Sequence, residues 1–128
     1  MAQKIIFVDK NINILAPLML NLMPAGVQAD IFVSAKEALK YLREHPVNIV
    51  ICGMNTEDLD GVDFLKQIQS LYPEIYRVVF SSSTCLDVKT KEACENRTVE
   101  QWFDKVNGAA ALMKYIKAFE CNEQYFVV

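Results

Sequence analysis

An α/β fold, a doubly wound five-stranded parallel sheet covered by helices on both faces, is predicted by two features of the sequence. Five short apolar runs recur along the 128 residues, and each is followed by a segment whose apolar residues fall at helical spacing. Repeated βα units produce this alternation, since the helices that connect parallel strands also cover the sheet. No repeat, low-complexity stretch or internal linker interrupts it, so one domain is expected. Strands are expected near 4–8, 29–33, 48–53, 75–81 and 99–103, and helices near 11–23, 35–44, 61–72, 85–95 and 108–120.

The first strand, Ile5-Ile6-Phe7-Val8, runs into Asp9-Lys10. The helix after it offers Ile14, Leu15, Leu18, Met19 and Leu22 to the sheet, and Pro17 suits it only if the helix begins a few residues earlier. In the second helix, Ser34-Ala35-Lys36-Glu37 forms a capping box, Ala35, Ala38, Leu39 and Leu42 make the buried stripe, and Pro46 stops it. His45, the one histidine, falls at that helix end, where a cation suits the dipole, and is read as structural. The third strand, Ile49-Val50-Ile51-Cys52, runs into Gly53. Asp60-Gly61 starts the third helix, whose face is Phe64, Leu65, Ile68 and Leu71 and whose end is Pro73. Ser81-Ser82-Ser83-Thr84 closes the fourth strand, with Ser83 or Thr84 expected to cap the fourth helix. The fifth helix opens at Asn107-Gly108 and buries Leu112, Met113 and Ile116. A domain at 1–120 is expected to be followed by a C-terminal tail or linker start at 121–128. There a polar hinge leads into Tyr125-Phe126-Val127-Val128, an apolar end that either packs on its own helix or docks elsewhere.

A net charge of −3 and the lack of any long Lys or Arg run argue against a nucleic-acid partner for this segment. No apolar stretch approaches transmembrane length, and Met-Ala-Gln-Lys leads straight into a strand, so no membrane association and a cytoplasmic location are expected. Cys52, Cys85, Cys94 and Cys121 have neither C-x-x-C spacing nor suitable histidines for zinc. They are expected as reduced thiols, with Cys52 packed in the sheet.

Sites in open parallel sheets form at the carboxyl ends of the strands. Asp9, Gly53, Ser81 and Lys105 all fall there. Together with Asp60-Gly61, this layout resembles the CheY-like receiver domain of bacterial response regulators, from about Lys4 to Phe119. The resemblance implies a flavodoxin-like (βα)5 sheet of strand order 2-1-3-4-5. It also implies that two acids after the first strand hold magnesium and that an aspartate ending the third strand accepts a phosphoryl group. On this reading Asp9 matches a magnesium ligand, Ser81 the hydroxyl that contacts the phosphoryl group, and Lys105 the lysine that pairs with it. Lys10 replaces the second acid, and Gly53 falls on the acceptor. Val106 stands where the family has a proline, Glu57 and Asp58 where it commonly has proline and glycine. Trp102 matches the aromatic that turns inward or outward on activation, but packing against the fourth helix is the favoured reading, with a binding role second.

Transfer to a carboxylate needs a nucleophile, and Gly53 has none. Magnesium favours near-octahedral oxygen coordination, whereas only Asp9 remains of three expected acids and the Lys10 ammonium would repel the ion. Magnesium binding is therefore expected to be weak or absent, no cofactor is expected, and Lys10, Lys105 or both are expected to pair with Asp9. Glu57, Asp58 or Asp60 could replace the acceptor only through a backbone shift of several residues, and Asp60 is expected to cap the third helix.

The expected function is a phosphorylation-independent pseudo-receiver without enzymatic activity, a regulatory, protein-interaction or dimerisation module. Its partner would be a protein or a downstream effector domain, and a homodimer is possible through the face of the fourth helix, fifth strand and fifth helix. Candidate residues on that face are Leu86, Val88, Trp102, Ala110 and Tyr115. In an alternative, the pocket binds a small anion or ligand through Ser81, Lys105 and loop amides, with Gly53 leaving room. An enzyme of this fold is disfavoured by the lack of a Gly-rich phosphate loop, a metal cluster and a nucleophile beside a base. The runs Phe32-Val33-Ser34, Tyr41-Leu42, His45-Pro46-Val47, Gly61-Val62-Asp63-Phe64-Leu65, Tyr72-Pro73-Glu74 and Arg77-Val78-Val79 further resemble receivers joined to cyclic-dinucleotide phosphodiesterases of the HD-GYP class. No phosphodiesterase residues are present in this chain.

Overall fold

The computed structural model describes residues 4–53, 56, 58–81, 88–105 and 107–127, with backbone alone at 88–90 and 119–127. The elements are β1 (Lys4–Val8), α1 (Ile12–Leu22) with a 3-10 turn (Met23–Ala25), β2 (Gln28–Phe32), α2 (Ala35–Leu42) and β3 (Ile49–Cys52). They continue with α3 (Gly61–Leu71), β4 (Tyr76–Ser81), α4 (Val88–Glu95), β5 (Gln101–Asp104) and α5 (Ala109–Val127). All strand pairs are parallel and the order is β2-β1-β3-β4-β5, as the resemblance implies.

The two-residue period of a strand divides each apolar run between two cores. Ile5, Phe7, Ile49, Ile51, Val78 and Phe80 face Leu15 and Leu22 of α1 and Leu112, Met113 and Ile116 of α5. Ile6, Val8, Val50, Cys52 and Val79 face Ala35, Ala38 and Leu42 of α2, Phe64, Leu65 and Ile68 of α3, and Ala93 of α4. The central strands are thus buried on both sides, which is why they lack polar alternation.

Several expected boundaries move. β5 begins at Gln101 rather than residue 99, because Thr98 and Val99 still belong to the buried turn that leaves α4. Leu71, expected on the buried face of α3, is 61% exposed, and the following Tyr72 packs on the core instead. α1 starts at Ile12 and continues through Pro17, which is exposed. The helix α5 runs on to Val127, seven residues past its expected end, so the backbone shows helix where a polar hinge was expected. Among the described residues no helix is long and apolar enough to cross a membrane. Met54, Asn55, Glu57, the Ser82-Ser83-Thr84 cap, Cys85, Leu86, Val106 and Val128 lie outside the described residues, as do the side chains of Val88 and Cys121.

The predicted cap of α2 is present and has a second contributor. Ser34 Oγ accepts from the Glu37 amide at 3.2 Å. Asp58, from the loop after β3, accepts from Ser34 Oγ at 2.8 Å, the Ala35 amide at 2.8 Å and the Lys36 amide at 3.2 Å. Desolvation opposes ionisation of Asp58, but the bonds from Ser34, Ala35 and Lys36 outweigh it and hold the carboxyl below its ordinary 3.8. A carboxyl depressed in the folded state stabilises above the unfolded value and loses that contribution as pH falls through the folded one. Asp58→Ala is therefore expected to cost about 1 kcal/mol at pH 7, a modest loss because the group is solvent-screened. Urea melts at pH 7 and pH 3 check this, with the gap between the two proteins narrowing in acid.

A lysine-sealed carboxylate pocket

Four strand ends meet at the carboxyl edge of the sheet. The Asp9 amide donates to Phe32 O and the Gly53 amide to Val8 O, both at 2.9 Å. The Lys105 amide donates to Ser81 O at 2.9 Å. These continuations of the ladder bring Asp9, Gly53, Ser81 and Lys105 together as the sequence predicts. Asp9 and Ser81 are buried, at 4% and 6% exposure.

The Asp9 carboxylate is held at both oxygens. Oδ1 accepts from the Asn11 amide at 2.9 Å, and Oδ2 forms an ion pair with Lys105 Nζ. Lys10 is exposed, so of the two candidate counter-ions the pair on Asp9 is made by Lys105. This carboxylate lies over Gly53. A Cβ on Gly53 would stand 2.1 Å from Asp9 Oδ2 and 2.7 Å from Asp9 Cγ. The room expected at Gly53 for an anion is consequently taken by a carboxylate, and the cation that would attract an anion is already paired with it.

Magnesium does not fit this arrangement. The Asp9 oxygen facing the pocket is occupied by an ammonium, Gly53 offers no side-chain ligand, and among the described residues no cluster of three His, Cys, Asp or Glu could hold a metal ion.

Among the described residues, the thiol beneath the pocket is not a ready nucleophile. Cys52 Sγ donates to Gly53 O at 3.0 Å, and the thiol is pushed far up by burial and then by the charges of Asp9 and Asp60, with Lys105 working in the opposite direction. It remains a packed, protonated thiol, as expected for a cysteine in the sheet. Asp60 caps α3, accepting from the Val62 amide at 2.7 Å and the Asp63 amide at 3.4 Å. With Asp58 on the start of α2, two of the carboxylates considered as substitute acceptors are engaged in helix caps, and the third, Glu57, lies outside the described residues.

On the face formed by α4, β5 and α5, Trp102 is half-buried against the core that contains Ala93 and Val99. Tyr115 is also half-buried, its ring 5.6 Å from that of Phe103 at 52°. Ala110 is exposed. His45 stacks on Tyr41 with ring centroids 4.2 Å apart at the end of α2.

Sequence reasoning missed the role of Arg77, which it treated only as part of a run. The side chain is 4% exposed and ties β4 to the turn entering β5. Nε donates to Thr98 O at 3.1 Å, Nη1 to Pro73 O at 3.2 Å and Ile75 O at 2.8 Å, and Nη2 to Arg97 O at 2.9 Å and Glu100 Oε1 at 3.2 Å. Arg97 has φ 60°, the left-handed region, which turns its carbonyl toward the guanidinium. A lone Arg inside an apolar strand, with Glu100 at the start of the next, was the available signal.

Comparison with known proteins agrees with the geometry. Residues 5–117 match the family model described as response regulator receiver domain. The hydrogenase transcriptional regulatory protein HoxA of Cupriavidus necator is 41% identical over 51 residues, which is 40% of this chain and 11% of that protein. This chain therefore aligns with only a small part of that relative. A CheY-like receiver domain protein from Methanospirillum hungatei JF-1 superposes with a TM-score of 0.84 at 19% identity, covering 100% of both chains. The signal receiver domain of an HD domain-containing protein from Pseudomonas fluorescens Pf-5 superposes with a TM-score of 0.79 at 22% identity, covering 96% of this chain and 92% of that one.

Proposed function

Since the chain belongs to the response regulator receiver domain family, its role is in signal transduction, and we propose that it is a pseudo-receiver whose output does not depend on a phosphoryl group at residue 53. The observation that carries this reading is the Asp9 carboxylate lying over Gly53 and sealed by Lys105. In a phosphorylated receiver the added charge biases a pre-existing equilibrium of the output surface. Here a fixed carboxylate and its lysine supply a permanent charge pair at that place, so the bias is built in and regulation passes to a partner.

The partner reads the α4-β5-α5 face. Among its described residues Lys91, Glu92, Glu95, Arg97, Ala110 and Lys114 are exposed, a mixed-charge surface suited to a reversible polar contact with an effector domain. The resemblance to receivers of the HD-GYP class, together with a structural neighbour from an HD domain-containing protein, favours a cyclic-dinucleotide phosphodiesterase as that effector. The domain itself has no catalytic role in this reading and works in the cytoplasm.

The test is intact mass after incubation with a small acyl-phosphate donor and magnesium. The unmodified mass is expected. A stoichiometric, acid-labile phosphoryl adduct would show that another carboxylate has become the acceptor and would overturn the reading.

A further inference from the structure

From Asn11 to Ala29 no residue carries a charge, although this stretch includes a surface helix. Leu15 and Leu22 of α1 face the core, and Lys117 of α5 donates to Asn21 Oδ1 at 3.2 Å, which marks the flank of α1 that faces α5. On the opposite flank, helical spacing aligns Ile12, Ala16, Met19, Leu20 and Met23. Three of them are exposed large apolar side chains: Ile12 at 47%, Leu20 at 68% and Met23 at 64%. This seam borders β2, the edge strand of the sheet, across a cavity of about 690 Å3 lined by Lys4, Met19, Met23, Val27, Ala29 and Asp30.

We propose that the α1 seam is a homodimer interface, in which α1 of two copies pack antiparallel about a two-fold axis near Ala16 and Lys10 of each copy enters the cavity beside the partner's Asp30. An uncharged seam offers no electrostatic match to a charged partner, whereas it complements itself under a two-fold. Only the ends of the stretch carry charge, and they are opposite: Lys10 is exposed before the start of α1, and Asp30 lies at the cavity beyond its end. At 1.5 Å per residue α1 is about 16 Å long with Ala16 near its midpoint, so an antiparallel crossing there brings Lys10, just before one end, to the partner's cavity beyond the other. The small side chain at Ala16 lets the axes approach. Tyr41 Oη donates to Asp30 Oδ2 at 3.0 Å and orients the carboxylate. The other cation there, Lys4, has its Nζ 5.1 Å from the Tyr41 ring centroid. The methionines would pack along the incoming lysine stem.

This inference does not rest on the chemistry of the pocket at Gly53 and uses a different surface from the proposed effector face. Sedimentation equilibrium over a concentration series tests it. The wild type is expected to dimerise, and Leu20→Glu to weaken the dimer by at least about tenfold. Lys10→Glu and Asp30→Lys are each expected to weaken it by about tenfold, and the double swap Lys10→Glu/Asp30→Lys to return most of the loss. Far-UV circular dichroism selects folded variants, and because Lys10 and Asp30 are both exposed the swap remains decisive if Leu20→Glu fails to fold. A wild type that stays monomeric to about millimolar concentration would overturn the proposal. So would a dimer indifferent to Leu20→Glu but dissolved by Lys114→Glu on the other face, or a double swap no better than its single variants.

Discussion

Arg77→Ala is expected to lower stability by about 3–5 kcal/mol, the largest loss of any single substitution considered for this chain. The guanidinium holds four backbone carbonyls and one carboxylate, and none of these groups has a replacement once it is removed. Glu100 suffers most directly. Burial already pushes its carboxyl up, with Arg77 acting against that push, and Glu100 Oε2 is buried without a partner among the described residues. Without the arginine, an acid and several carbonyls are left in a space that also loses the packing of the Arg stem. Arg77→Lys should recover little, since one ammonium cannot reach carbonyls spread over Pro73, Ile75, Arg97 and Thr98. Urea unfolding followed by the fluorescence of Trp102, the one tryptophan, gives the measurement. A loss below about 1 kcal/mol would mean that the clamp is dispensable.

Gly108→Ala is expected to cost about 2–3 kcal/mol, in the same direction as the preference for Gly over Ala at the N-cap of α5. A Cβ at this position would stand 2.5 Å from Asp104 O and 2.7 Å from Asp104 N. Both atoms are backbone, so no rotamer change relieves the contact. The turn is closed by the Gly108 amide donating to Asp104 O at 2.6 Å, and α5 begins from it with the Leu112 amide on Gly108 O at 2.9 Å. Lys105 lies inside this turn, and opening it should loosen the ion pair to Asp9. Thermal melts of the two proteins measure the loss, and equal or higher stability of Gly108→Ala would refute the close approach.

The fold was largely legible because local and global signals coincide. Each strand is an apolar run with core on both sides, and the α2 and α3 starts carry Ser34 and Asp60 at their caps, as their sequence positions imply. The site's four strand-end residues were also found by position, since parallel topology places them together. What sequence could not give were interactions between distant segments. Asp58 caps a helix that begins more than twenty residues earlier, and nothing local to its own loop announces this. Arg77 reaches across to Arg97 and Thr98 through a turn whose shape depends on tertiary packing. The choice of Lys105 over Lys10 as the partner of Asp9 likewise depends on which lysine the sheet turns inward. α5 was ended too early because the polar residues after Glu120 read as a break, although nothing in Cys121-Asn122-Glu123-Gln124 forbids a helix.

The way Asp9 fills the space over Gly53 couples residue 53 to the Asp9–Lys105 pair. A single Gly53→Asp reversion would not meet an empty place but a buried carboxylate 2.1 Å from its own Cβ, already bound to a lysine. Such a carboxylate would need Asp9 to turn aside and Lys105 to be shared between two acids, and it would bring like charges into a buried space. Under the pseudo-receiver reading proposed above, a change at residue 53 alone is thus expected to unsettle the Asp9–Lys105 pair before it could supply an acceptor.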